Sequence, residues 1–256
     1  KTLFPYTTLF RSISLSVFLV LLFASSASIR QTNASIVQSM TAQQILAQMM
    51  TTYVSCKSYL DTGEVRTVYL DARGRRTVVL PFSTAFIRPS SFRFEFRSRR
   101  GEAEWEQYII WKQDDAVKSW WSIRPGIMTD RSFSMSVSGA TGVSGKSSLT
   151  VPSMLMPDEL RANPLKALTN LNLVGEEKIA GRDAFKIEGQ DFRGNTTTLW
   201  IDKQRFLLLQ IFEKRKISST NGNADFETEA TTVYDPQLNE DIPASKLAFD
   251  PPAQKH

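Results

Sequence analysis

Residues 92–97 read Phe-Arg-Phe-Glu-Phe-Arg, a phenylalanine and a charged residue alternating through three periods. Side chains along a strand point to opposite faces in turn, so Phe92, Phe94 and Phe96 share one face while Arg93, Glu95 and Arg97 share the other. A helix, at 3.6 residues per turn, would scatter the rings around its circumference. Only a sheet with one apolar and one wet face satisfies both sets, and antiparallel sheets are the ones that provide it.

The same reading extends in both directions. Residues 67–70 form a strand before a turn at Asp71-Ala72-Arg73-Gly74, and 77–80 begin the return. Residues 105–111 and 116–123 continue an antiparallel meander. After an interruption come 173–179, a turn at Ala180-Gly181-Arg182, then 184–188, 196–202, 206–214 and 226–234. The expected class is mainly β (α+β). A sheet of this kind, if curved, has a broad concave face that side chains or a ligand must fill.

Two helices are expected. Thr41 and Gln44 stand at capping-box spacing, and Ile45, Leu46, Met49, Met50 and Tyr53 follow on one face. Residues 160–172 place Pro164 near a first turn, with Leu165, Leu168 and Leu171 on one side. Between them, 126–150 are rich in Ser, Gly and Thr without periodicity and read as a long loop.

The N-terminal region reads as three segments. Residues 1–12 look like a non-native, adapter-derived stretch, because the first methionine is Met40. Residues 13–28 pair an eleven-residue apolar run (ISLSVFLVLLF) with small residues, which fits a signal peptide cleaved near Ala27 or Ser28. The run is short of the roughly 20 apolar residues a membrane span needs. Residues 29–40 form a polar leader, and 41–256 a single domain. Losing 1–28 removes two basic and no acidic residues, which takes the net charge from +5 to +3. The mature product is expected in the periplasm as a monomer.

Composition narrows the chemistry. The one histidine is His256 and the one cysteine is Cys56. A Ser-His-Asp triad, a Cys-His pair and an H-E-x-x-H zinc site all need an imidazole held in place, which a terminal residue does not supply. Cys56 alone can make neither an internal disulfide nor a cysteine zinc site. A P-loop ending at Gly145-Lys146-Ser147 needs glycine at 140, where Ala140 stands. Glu102, Glu104 and Glu106 read as the solvated face of a strand, and no Ser-x-x-Lys motif occurs. Arginines interleaved with phenylalanine at 92–100 could suggest nucleic-acid stacking, but an exported protein seldom meets that ligand. No enzyme activity, cofactor, metal or nucleic-acid partner is expected.

The chain resembles the periplasmic outer-membrane lipoprotein carrier family and its wider lipoprotein-sorting relatives. Four stretches carry the resemblance, in order, from 41 to 253. Phe86-Ile87-Arg88-Pro89-Ser90-Ser91-Phe92-Arg93-Phe94 is similar to the family's strand-ending Arg-Pro-x-x-Phe. Tyr108-Ile109-Ile110-Trp111-Lys112-Gln113-Asp114-Asp115, ahead of Trp120 and Trp121, is similar to a hairpin whose turn ends in Asp-Gly, although here no glycine follows Asp115. Residues 175–187 (GEEKIAGRDAFKI) with Leu199-Trp200-Ile201-Asp202-Lys203 look like the broader family's Gly-x-Glu, Gly-Arg and Trp-Ile-Asp hairpins. Phe249-Asp250-Pro251-Pro252 is like the terminal Phe-x-Pro-Pro.

The resemblance implies an incomplete antiparallel β-barrel, helices covering its mouth, and an apolar cavity for acyl chains. On that reading Phe92, Phe94, Phe96, Ile110, Leu199 and Ile201 line the cavity, and Arg88 gates it. The expected function is a carrier ferrying the acyl chains of a lipoprotein or related lipid between membrane-bound donor and acceptor proteins. The alternative is an envelope sensor using the same fold to bind lipid or a partner protein.

Overall fold

The computed structural model describes residues 40–71, 74–99, 101–217 and 226–252. The expected non-native stretch, the signal peptide and the leader up to residue 39 lie outside them. The first described helix, α1 (Ala42–Ser55), begins as its capping box requires. Gln44 N donates to Thr41 Oγ1 at 3.2 Å, and Thr41 N donates to Gln44 Oε1 at 2.8 Å. Its apolar stripe Ile45, Leu46, Met49 and Tyr53 is buried.

Five strands follow: β1 (Ser58–Asp71), β2 (Gly74–Ile87), β3 (Ser91–Ser98), β4 (Glu106–Gln113) and β5 (Ala116–Trp121). After the two-residue β6 (Met128–Thr129), three helices, α2 (Phe133–Thr141), α3 (Ser147–Thr150) and α4 (Pro152–Leu155), leave the sheet. The chain returns through β7 (Thr169–Ile179), β8 (Arg182–Gln190), β9 (Thr196–Asp202), β10 (Leu208–Ile217), β11 (Phe226–Tyr234) and β12 (Gln237–Leu238). These strands form one antiparallel sheet in the order β6-β5-β4-β3-β2-β1-β11-β10-β9-β8-β7, with β12 added on β1. Strands β6 and β7 do not pair, so the curved sheet stays open, an incomplete barrel. No helix of the described residues is long and apolar enough to cross a membrane.

Register decides which residues share the inner face. Phe92 stands opposite Phe86, which stands opposite Tyr59. Phe96 stands opposite Phe82, and Phe94 opposite both Thr84 and Ile110. Across the sheet, Val65 pairs with Leu80 and Thr232, Thr232 with Ile211, and Ile211 with Leu199. These rows and the apolar faces of α1, α2 and α4 form one core. Outside the sheet, Trp111 Nε1 donates to Leu247 O at 2.7 Å, and the Trp111 and Phe249 rings lie 5.7 Å apart. The C-terminal segment is thereby strapped across the outer face.

Three expectations need correction. The stretch 126–150 is not a long loop, because it holds α2 and α3. In α2 the buried positions Phe133, Ser136, Val137 and Ala140 have helical spacing, but a serine stands in the stripe. Asp130 Oδ2 accepts from Ser136 Oγ at 2.6 Å, so the hydroxyl is buried at no loss. The stretch 160–172 is not a helix. Asn163 Oδ1 accepts from Leu165 N and Lys166 N, both at 3.0 Å, which closes a single turn. Thr169 then pairs with Gln190 as β7 begins. Finally, Glu102 and Glu104 sit in the turn before β4 rather than on a strand; only Glu106 belongs to it.

Candidate functional site

The six side chains expected to line a cavity all fall on the inner face. Phe92, Phe94, Phe96 and Ile110 come from the neighbouring strands β3 and β4, and Leu199 and Ile201 from β9 on the other half of the sheet. All six are buried in the same core. Their partners are other rings and the helices. Phe92 meets Phe133 of α2 edge-on at 4.9 Å, and Phe94 lies 6.2 Å from Phe82 and 6.3 Å from Phe96. Over β3 and β4 the helices therefore occupy the space an acyl chain would take.

Arg88 is placed where the inner face meets two of those helices. It follows β2 directly, and its peptide bond to Pro89 is cis. Its Nε donates to Cys56 O at 2.9 Å, and its Nη2 donates to Leu155 O at 3.1 Å and to Tyr53 O at 3.4 Å. The guanidinium also lies 5.1 Å from the centre of the Phe86 ring. One planar fork thus joins the end of α1, the end of α4 and the sheet, a geometry lysine cannot reproduce. The acceptors are carbonyls at the C-terminal ends of the two helices, Tyr53 and the cap residue Cys56 of α1 and Leu155 of α4, where a cation is favoured.

Two lysines hold the same helical layer. Lys112, buried on β4, donates to Asp114 O and stands 3.4 Å from Glu159 just after α4. At the opposite end Lys146, before α3, makes a 2.7 Å ion pair with Glu213 of β10. Glu213 also pairs with Arg215 at 2.9 Å. Lys146 belongs to the glycine-rich stretch that mimics a P-loop, and its ammonium group is engaged by this carboxylate. Among the described residues no three His, Cys, Asp or Glu side chains stand close enough to share a metal ion.

Below Arg88 lies a polar cluster that the sequence pattern did not reveal. Tyr59 Oη donates to Asp61 Oδ2 at 2.7 Å, and Leu208 N donates to Tyr53 Oη at 3.2 Å. The Tyr53 and Tyr59 rings are 5.5 Å apart. Asp61 is buried on the inner face opposite Thr84, with its Oδ1 and the Thr84 hydroxyl lacking a hydrogen-bond partner. Burial raises the Asp61 carboxyl from 3.8 to about 6, and the Tyr59 hydroxyl offsets part of that rise. Burial likewise raises Tyr53, Tyr59 and Tyr234 above the ordinary phenol range. A signal was present in the sequence: Tyr59-Leu60-Asp61 in a strand puts the carboxyl on the tyrosine's own face.

Two clefts lead towards this core. One, about 340 Å³, lies between the α2–α3 segment and the inner face, with Thr197, Ile211 and Thr232 as floor and Leu149, Leu165 and Leu168 as walls. Its floor adjoins the predicted site, because Ile211 stands opposite Leu199. The other, about 470 Å³, separates Leu46, Met50 and Val54 of α1 from Met154, Leu160 and Leu171. Both are largely apolar and fall within the size range of small-ligand pockets.

No protein-family model and no curated protein matches the chain. Several solved structures resemble it. Lipoprotein LppX of Mycobacterium tuberculosis is 13% identical at a TM-score of 0.41, over 78% of this chain and 97% of that one. A LolA superfamily protein of Nitrosomonas europaea is 15% identical at 0.31, over 82% and 98%. MucB in its complex with MucA from Pseudomonas aeruginosa is 12% identical at 0.42, over 82% and 61%.

Proposed function

We propose that this protein is an exported carrier that takes the acyl chains of a lipoprotein or related lipid into the space between sheet and helices and ferries them across the periplasm. The observation that carries this reading is the Arg88 clasp: one guanidinium closes two helices over a largely apolar inner face.

The energetics fit a reversible carrier. Each buried methylene contributes about 0.8 kcal/mol, so a sixteen-carbon chain recovers on the order of 10 kcal/mol. Much of that gain is offset, because the ligand displaces Phe133, Val137 and their neighbours from the same apolar surface. Charge-assisted hydrogen bonds of the clasp contribute about 1.5–3 kcal/mol each at most. Loading and release are then differences of a few kcal/mol, within reach of a membrane-bound donor on one side and an acceptor on the other. The protein works as a monomer without catalytic residue, cofactor or metal, since no bond is made or broken.

Titration of the full chain with a fluorescent fatty acid tests the gate. If the open state binds and the clasp keeps it rare, apparent affinity scales with the open fraction. Arg88→Leu is then expected to tighten apparent binding about tenfold through faster uptake, with Arg88→Lys in between. Equal or weaker binding by an Arg88→Leu protein of unchanged circular dichroism contradicts the gating role.

A further inference from the structure

The antiparallel meander gives the sheet two rims, and its connections alternate between them. The connections β2–β3, β4–β5, β7–β8, β9–β10 and β11–β12 lie on the rim near Arg88. Those between β1 and β2, β3 and β4, β5 and β6, β8 and β9, and β10 and β11 lie on the other. Exposed large apolar side chains are divided between the rims very unequally. The far rim carries Trp105 at 43% exposure, Ile123 and Ile127 at 53% each, and Phe192 at 87%, with Ile217 closing β10. Among the described residues the Arg88 rim carries Val54 at 46% and Val233 at 39% but no exposed aromatic ring, and its connections present Pro89, Asp114, Asp115, Gly181, Gln204 and Asp235.

The apolar residues on the far rim are accompanied by arginine. The Arg99 guanidinium lies 4.8 Å from the Trp105 ring centre, Arg193 5.1 Å from Phe192, and Arg124 5.4 Å from Trp121. Phe192 and Arg193 also border the 340 Å³ cleft, so the cleft reaches this rim.

We propose that the far rim docks on a phospholipid bilayer, with Trp105, Ile123, Ile127 and Phe192 entering the interface and the arginines meeting the headgroup phosphates. A protein partner is disfavoured by the arrangement. Protein interfaces are centred on a contiguous, well-packed apolar core, whereas these side chains stand on three separate connections. A lipid surface accepts isolated wedges, and aromatic and cationic side chains together are the residues that favour its interface. Docking here would bring the cleft to the lipid source. This inference concerns how the molecule meets a membrane and stands whether or not the interior binds acyl chains.

Labelling by position tests it on the full chain. Cys56 is buried, so one introduced cysteine takes an environment-sensitive dye. Trp105→Cys, Ile123→Cys and Phe192→Cys report on the far rim, and Asp115→Cys and Gln204→Cys on the other. With vesicles of phosphatidylethanolamine and phosphatidylglycerol carrying a lipid-borne quencher, the far-rim dyes are expected to shift to the blue. They should also be quenched at least threefold more than the controls. Equal quenching at both rims, or none at either, overturns the proposal. So does a far-rim blue shift that appears without vesicles as protein concentration rises, which assigns the rim to chain–chain contact.

Discussion

At the scale of single residues, Asp61 makes the sharpest claim. Its folded value of about 6 lies above the ordinary 3.8, so the folded protein holds a proton that the unfolded chain releases. The stability this confers is complete below about pH 4, fades as the pH rises to about 6, and is gone above it. A rise of that size corresponds to about 3 kcal/mol. Asp61→Asn, which stays neutral and keeps an acceptor for Tyr59, is expected to raise stability by about 1–3 kcal/mol at pH 7.5 and to change little at pH 4. Denaturant melts of both proteins at both values check this, and an equal loss at the two pH values would count against it. Gly63 makes a second claim by packing alone. A Cβ there would overlap the tip of the Phe82 ring and the Val233 carbonyl. Gly63→Ala should therefore cost about 1–3 kcal/mol, the usual penalty of overpacking, read from the same kind of melt.

At the scale of elements, the parts that sequence revealed are those whose local chemistry and tertiary surroundings agree. The capping box at Thr41 and Gln44 forms as written, and Thr41→Ala should cost about 0.5–2 kcal/mol in a thermal or urea melt. Strands β9 and β11 run over the residues expected for them, and Phe92, Phe94 and Phe96 share the face their period demands. Helix α2 was hidden because Ser136 interrupts its apolar stripe and is satisfied only by Asp130, a residue outside the helix. Leu165, Leu168 and Leu171 suggested a helix because their spacing is helical. Local propensity yielded there to the edge of β8, where Thr169 and Gln190 pair. For the site, the inner-face residues were legible from alternation and family resemblance. The helices that lie on them were not, because which residues face Phe92 across the core depends on where α2 lands. Asp61 is not legible from the sequence pattern, because a carboxyl in an apolar row contradicts the burial of its neighbours unless Tyr59 donates to it, as it does here.

At the scale of the molecule, an open sheet carries a helical layer fastened at both rims. Arg88 and Lys112 hold it at one end, and the Lys146–Glu213 pair holds it at the other. The two fasteners differ in kind. Arg88 binds neutral carbonyls, whereas Lys146–Glu213 is a partly exposed ion pair that salt screens. If the layer lifts from the cleft end, Glu213→Gln should speed acyl uptake in low salt and have little effect in high salt, as stopped-flow mixing with a fluorescent fatty acid would show. The carrier proposed above would hold acyl chains in the space between sheet and helices, and that placement can be read directly. It is tested most directly by irradiating the full chain with a diazirine-bearing fatty acid and mapping the adducts by peptide mass spectrometry. Adducts are expected on β3, β4 and β9, at or beside Phe92, Phe94, Phe96, Ile110, Leu199 and Ile201, and on the facing residues of α2. Adducts confined to the outer face around Trp111 and Phe249, or a chain that remains unlabelled, would contradict it.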